Sequence, residues 1–144
     1  IEVAKKIPAR LAQVRWDEAK MQHVFLCIFK NAIEAMSPGG HLRVEVMLTR
    51  ARKPELQIVI ANDGVPIPEE LVDKVFEPYF TTKRSGTGLG LATVKKVVEE
   101  HQGKIRIASE ADKGTTVTIL MPAPKPRTPY RPRRPVGPPR GGGA

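Results

Sequence analysis

Leu42-Arg43-Val44-Glu45-Val46-Met47-Leu48-Thr49, followed across Lys53-Pro54-Glu55 by Leu56-Gln57-Ile58-Val59-Ile60-Ala61, is the stretch on which the fold turns. In the first segment Leu42, Val44, Val46 and Leu48 alternate with His41, Arg43, Glu45 and Thr49, the period-two pattern of a strand with one wet face. The second segment reads as its partner strand, and the turn between them makes the pair an antiparallel hairpin. Upstream, Met21, Val24, Phe25, Ile28, Ala32, Ile33, Ala35 and Met36 recur at spacings of three and four, so a long helix runs from an Asp17 cap to about Met36. Ser37-Pro38-Gly39-Gly40 stops it. Residues 2–7 alternate loosely and suit a short edge strand before Pro8.

Downstream of the hairpin, residues 62–68 hold too much glycine and proline for a regular element. A short helical piece is expected near 69–75, and residues 76–87 read as an irregular polar loop. A helix over 88–101 uses Leu89, Leu91, Ala92, Val94, Val97 and Val98 as its apolar face, with Gly103 at the C-terminal stop. Residues 104–109 and 115–120 alternate again around Asp112-Lys113-Gly114. This order predicts a two-layer α/β sandwich, a mixed, largely antiparallel sheet with helices on one face.

The 144 residues suit one domain, and 40% hydrophobic with 27% charged residues is a globular balance. The apolar run that starts at Val24 is far short of the ~18 residues a membrane span requires, and no basic-then-apolar leader opens the sequence. The single cysteine, Cys27, and the three histidines predict neither an internal disulfide nor a Cys/His metal cage, so a cytoplasmic, zinc-free domain is expected. The net charge of +9 is uneven. Six of the 24 basic residues and none of the 15 acidic ones fall in 123–144, leaving 18 basic against 15 acidic groups, or +3, in residues 1–122. The folded part is therefore not expected to bind nucleic acid. Residues 123–144 also hold seven of the 14 prolines and are expected to be a disordered extension. Its arginines could touch nucleic acid or an acidic partner; a merely solvated terminus is the plainer reading.

Three clusters can carry chemistry. Cys27, Asn31, Glu34 and Ala35 share one helix face, and a carboxamide oxygen such as that of Asn31 is a suitable hard ligand for Mg²⁺; taken alone, an Asn at a helix edge is as well satisfied by water. Asn62-Asp63-Gly64-Val65-Pro66 follows a strand, where α/β sheets present ligand sites, although these residues also simply build turns. Ser85-Gly86-Thr87-Gly88-Leu89-Gly90-Leu91 opens a helix whose N–H groups suit phosphate. It matches neither the Walker nor the dinucleotide spacing.

Asn31-Ala32-Ile33-Glu34-Ala35, Asn62-Asp63-Gly64, Phe76-Glu77-Pro78-Tyr79-Phe80-Thr81-Thr82-Lys83, Gly86-Thr87-Gly88-Leu89-Gly90-Leu91 and Gly114-Thr115 together resemble the successive N, G1, F, G2 and G/T boxes of the sensor histidine kinase ATP-binding domain. That family shares the Bergerat, or GHKL, fold. The resemblance covers residues 1 to about 122. It implies that Asn31 holds Mg²⁺ on the ATP phosphates, with Lys30 and Glu34 touching phosphate or orienting Asn31. It implies that Gly64 and Ile67 line the adenine pocket, that Thr115 sits near the base through a hydrogen bond or a bridging water, that Ala35 contacts the nucleotide, and that residues 79–87 form a mobile lid hinged and anchored by Phe76 and Phe80. Thr81, Thr82, Lys83, Gly86, Thr87, Gly88, Leu89, Gly90 and Leu91 would face the nucleotide from the lid and the helix it leads into.

Two positions depart from the family pattern. Registered on Gly64 and Ile67-Pro68-Glu69-Glu70, the family's adenine-reading Asp falls on Asn62 and its second glycine on Pro66, with Asp63 one residue too late. Asn62 is expected to accept from adenine N6 through its amide oxygen. Cys27 stands four residues before Asn31, where hydrolysing members of the fold place a water-activating glutamate. The resemblance thus implies transfer of the γ-phosphoryl group to a histidine on a dimerisation domain of a homodimeric kinase, with a response regulator downstream. None of His23, His41 or His101 has an acceptor setting. A serine or protein kinase of the same fold, of anti-sigma-factor type, and a degenerate ATP-binding interaction module are the alternatives.

Overall fold

The computed structural model describes residues 1–8, 14–36, 38–49, 52–80 and 90–123. The hairpin forms as expected: β2 (His41–Leu48) and β3 (Glu55–Asn62) pair antiparallel, with Leu42 opposite Asn62 and Leu48 opposite Leu56. Residues 2–7 do supply an edge strand, β1 (Glu2–Lys6), which joins β2 in parallel. The last two strands, β4 (Lys104–Glu110) and β5 (Gly114–Pro122), complete a five-stranded sheet in the order β1-β2-β3-β5-β4. β5 lies antiparallel between β3 and β4, so the last described strand is an interior one and β4 takes the edge.

Two helices cover one face. Helix α1 (Glu18–Ala35) starts at Asp17, whose Oδ1 accepts from Lys20 N at 3.0 Å, the N-cap the sequence predicts. Met21, Val24, Ile28 and Ala32 of α1 pack on Leu56, Ile58 and Ile60 of β3 and on Val117, Ile119 and Met121 of β5. Ile33, expected on the same apolar face, is 49% exposed, because it sits about 100° from Ala32 on the helix. Helix α2 (Gly90–Glu100) adds Val94, Val97 and Val98. Between β3 and α2 the short piece is a 3₁₀ helix, Glu69–Lys74.

The helices are joined at one end by His101. Its Nε2 accepts from Asp17 N at 2.9 Å, while Nδ1 donates to Val97 O at 2.7 Å. Lys20 reaches Glu100 at 3.4 Å beside it. Ala123, just past β5, is still packed and donates its N–H to Pro54 O at 3.0 Å. Among the described residues no helix is long and apolar enough to cross a membrane. The expected loop over 81–87, the first residues of the expected helix at 88 and 89, and the extension from 124 onward lie outside the described residues.

Candidate functional site

Among the described residues, two polar side chains are buried, and both were singled out in the sequence: Asn62 (8% exposed) and Thr115 (7%). They face each other across β3 and β5, and Ser109 of β4 lies opposite Thr115 on its other side. Partners in register share a sheet face, so Asn62, Thr115 and Ser109 form one polar row at the end of the sheet. Ser109 completes a circuit. Its Oγ accepts from Ile67 N at 2.7 Å and lies 2.9 Å from Thr115 Oγ1 and 3.3 Å from Gly114 O. The sequence reading missed Ser109; counting back from the Asp112-Lys113-Gly114 turn, with Glu110 opposite Gly114, would have placed it against Thr115.

Helix α1 delivers the other half. A Cβ on Gly64 would run into the Ala35 carbonyl group and Met36 N, and Val65 N donates to Ala35 O at 2.8 Å. Gly64 is therefore demanded by close approach to the end of α1. Asn31, half-buried, stands one turn before Ala35 on the same face. Lys30 and Glu34 are exposed and lie 4.0 Å apart as an i,i+4 pair. Gly114 closes the cluster from β5: its φ of +90° is a left-handed conformation, and a Cβ there would strike Asn62 O. A cavity of about 410 Å³ opens beside this junction, lined by Ala35, Pro38, Gly40, Asp63, Gly64 and Val65.

Asn62, the last residue of β3, and Asp63, just past it, take different partners. Asn62 Oδ1 accepts from Gly64 N at 3.0 Å, so the oxygen expected to meet adenine already holds one hydrogen bond and has one lone pair left. Asp63 turns away, onto β2. Its Oδ1 accepts from His41 N at 2.8 Å, and its Oδ2 lies 2.7 Å from His41 Nδ1. Glu2 of β1 approaches His41 Nε2 at 3.4 Å. The hydrogen bond to the Asp63 side chain raises the His41 pKa, and the hydrogen bond from the His41 backbone lowers that of Asp63. Asp63 thus lies on the wall of the cavity with its carboxylate held by His41.

Cys27 is half-buried with Sγ 3.5 Å from His23 Nε2, and burial raises its thiol pKa against the opposing pull of Lys30. It offers no base for activating water. On the far side, Phe76 is half-buried under Lys95, whose Nζ lies 5.6 Å from the ring centroid, a cation–π contact; Phe80 is half-buried and Tyr79 exposed. Gly90 and Leu91 open α2. Thr81, Thr82, Lys83, Gly86, Thr87, Gly88 and Leu89 lie outside the described residues.

Residues 16–125 match the family model described as histidine kinase-, DNA gyrase B-, and HSP90-like ATPase. Sporulation kinase A of Bacillus subtilis is 35% identical over 109 residues, 76% of this chain and 18% of that protein. Sensor histidine kinase ZraS of Escherichia coli is 38% identical over 112 residues, 78% and 23% of the two chains. Among solved structures, the catalytic domain of histidine kinase ThkA superimposes with a TM-score of 0.74 at 31% identity, covering 85% of this chain and 78% of that one. The chain thus spans about a fifth of the length of these curated relatives.

Proposed function

Because the chain belongs to the family of histidine kinase-, DNA gyrase B- and HSP90-like ATPases, and within it to the catalytic ATP-binding domains of two-component sensor histidine kinases, we propose that it binds Mg-ATP and donates the γ-phosphoryl group to a histidine on the dimerisation domain of the same kinase. A response regulator then receives the group, and the whole kinase works as a homodimer with this domain in the cytoplasm. The observation that carries the reading is the meeting of α1's last turn with the buried Asn62 and Thr115 row at the sheet end.

Each part has a physical task. Ala35, Asn62, Gly64, Ile67 and Thr115 bound the purine, with Phe76 at the hinge of the lid. Gly90 and Leu91 present the N-terminus of α2 to phosphate, and Thr81, Thr82, Lys83, Gly86, Thr87, Gly88 and Leu89 complete the phosphate side. Asn31 contributes one hard oxygen to Mg²⁺. Among the described residues no three His, Cys, Asp or Glu side chains converge on a metal site, which suits an ion that takes its remaining ligands from phosphates and water. Such an ion supplies charge neutralisation during phosphoryl transfer. Lys30 supplies a cation beside Asn31, and Glu34, its ion-pair partner, sets where that cation sits. Cys27, a neutral thiol in the place of a water-activating carboxylate, favours transfer over hydrolysis. Residues 1–122 form the catalytic unit; residues 123–144 are a Pro/Arg/Gly-rich extension that nucleotide binding does not need, and the folded domain has no nucleic-acid role.

Calorimetric titration with a non-hydrolysable ATP analogue, with and without Mg²⁺, tests this on the native chain and on Asn31→Ala. Mg²⁺-dependent binding lost in Asn31→Ala supports the assignment; Mg²⁺-independent binding unchanged in the variant refutes it. When the domain is supplied with the dimerisation domain, an acid-labile phosphoryl product supports transfer to histidine, and an acid-stable one identifies a serine or threonine acceptor.

A further inference from the structure

The head group of Asn62 has an acceptor end and a donor end, and the backbone decides which is which. Gly64 N–H can only donate, and it lies 3.0 Å from Oδ1. Rotating the carboxamide by half a turn would set the Nδ2 hydrogens against that N–H, donor against donor. Asn62 is 8% exposed and held in strand pairing with Leu42 on one side and Thr115 on the other, so its head group cannot escape the choice by turning into solvent. Oδ1 keeps one lone pair beyond that bond, and Nδ2, which the Gly64 N–H cannot use, is the donor that the residue offers a ligand.

The neighbouring hydroxyls have no such fixed polarity. Ser109 Oγ takes the Ile67 N–H, and its single proton can go to Thr115 Oγ1 or to Gly114 O. Thr115 is correspondingly free to present either a proton or a lone pair, as hydroxyl rotors do. Selection by polarity at this end of the sheet therefore falls to Asn62.

Adenine carries an amine, a donor, at its six position, whereas hypoxanthine and guanine carry a carbonyl acceptor there. We propose that Asn62 directs Nδ2 at the six position of the purine, so that the site takes 6-oxopurine triphosphates with an affinity within about threefold of that for ATP. The inference rests on the nucleotide reading of the site and replaces the expectation that Asn62 Oδ1 accepts from adenine N6. Accepting from adenine requires Oδ1 to serve the base and Gly64 N–H together, while a 6-oxo group meets the Nδ2 hydrogens, which the Gly64 N–H cannot engage. A carboxylate at position 62 reverses the preference, because one oxygen can keep the Gly64 N–H while the other accepts from the adenine amine.

The test is calorimetric titration of the 144-residue chain with Mg-ATP and Mg-ITP. ITP differs from ATP at the six position without the two-amino group of guanine. The expected ratio of the ITP to the ATP Kd is below about 3, and Asn62→Asp raises that ratio by about tenfold or more, within the discrimination typical of a matched base contact. Asp is isosteric with Asn, and urea denaturation of the variant verifies its folding. ATP binding with a ratio above about 3 in the native chain, or a ratio Asn62→Asp does not move, overturns the proposal alone. Binding of neither triphosphate overturns the nucleotide reading and this proposal with it.

Discussion

Replacing Gly64 by alanine tests the junction on which the site depends. The added Cβ would lie 2.5 Å from the Ala35 carbonyl carbon and 2.9 Å from Met36 N, against an ordinary carbon contact of about 3.5 Å. The obstruction is backbone at the end of α1, with no flexible side chain to swing aside. The 62–65 loop must retreat by about 1 Å, which stretches the Val65 N to Ala35 O bond, now 2.8 Å, to roughly 3.8 Å and out of hydrogen-bond range. Overpacking of this kind costs about 1–3 kcal/mol, and the lost hydrogen bond adds about 1 kcal/mol. Gly64→Ala is therefore expected to destabilise the domain by about 2–4 kcal/mol in equilibrium urea denaturation. Nucleotide affinity should fall even where the variant remains folded, because Asn62 moves with the loop. A loss below about 0.5 kcal/mol together with unchanged ATP-analogue binding would refute the reasoning.

The His41–Asp63 pair should make stability depend on pH in a defined window. His41 is raised above its ordinary 6.5, so its contribution is full below that value and is lost as pH rises through the raised pKa. Asp63 is lowered below 3.8, so its contribution is full above that value and is lost as pH falls through the lowered pKa; the pair is strongest between the two, and NMR titration showing His41 at or below 6.5 would contradict this. Ser109→Ala leaves the half-buried Ile67 N–H without its acceptor and should cost about 1–3 kcal/mol, read by chemical denaturation, with a weaker nucleotide site beside it. His101→Ala removes the acceptor for Asp17 N and the donor to Val97 O; about 1–3 kcal/mol is expected from two net hydrogen bonds, and a melting temperature equal to that of the native chain would show that the α1–α2 joint does not need them.

Local chemistry wrote much of this protein into its sequence. Alternation fixes β2 because each strand residue chooses a face independently of distant chain, and Asp17 caps α1 because its carboxylate reaches Lys20 N three residues away. The motif residues Asn31, Asn62, Gly64 and Thr115 were legible for a related reason: glycine and polar residues at element ends interrupt the apolar pattern. What those residues do to one another was not legible. Gly64 reads as a turn residue in sequence, whereas in space it is the contact point for Ala35. Asp63, which resembles a ligand-facing carboxylate, is drawn off by His41, 22 residues earlier. Ser109 carries no motif at all and enters the site through the β4–β5 register. The elements, their order and the candidate polar and glycine positions follow from interactions spanning a few residues, and so they can be read from the unfolded chain. Which end of Asn62 faces Gly64, and which hydroxyl completes the row, emerge once the chain has folded. Those choices depend on strand register and on the approach of α1 to β3, and these are settled by packing between segments far apart in the chain.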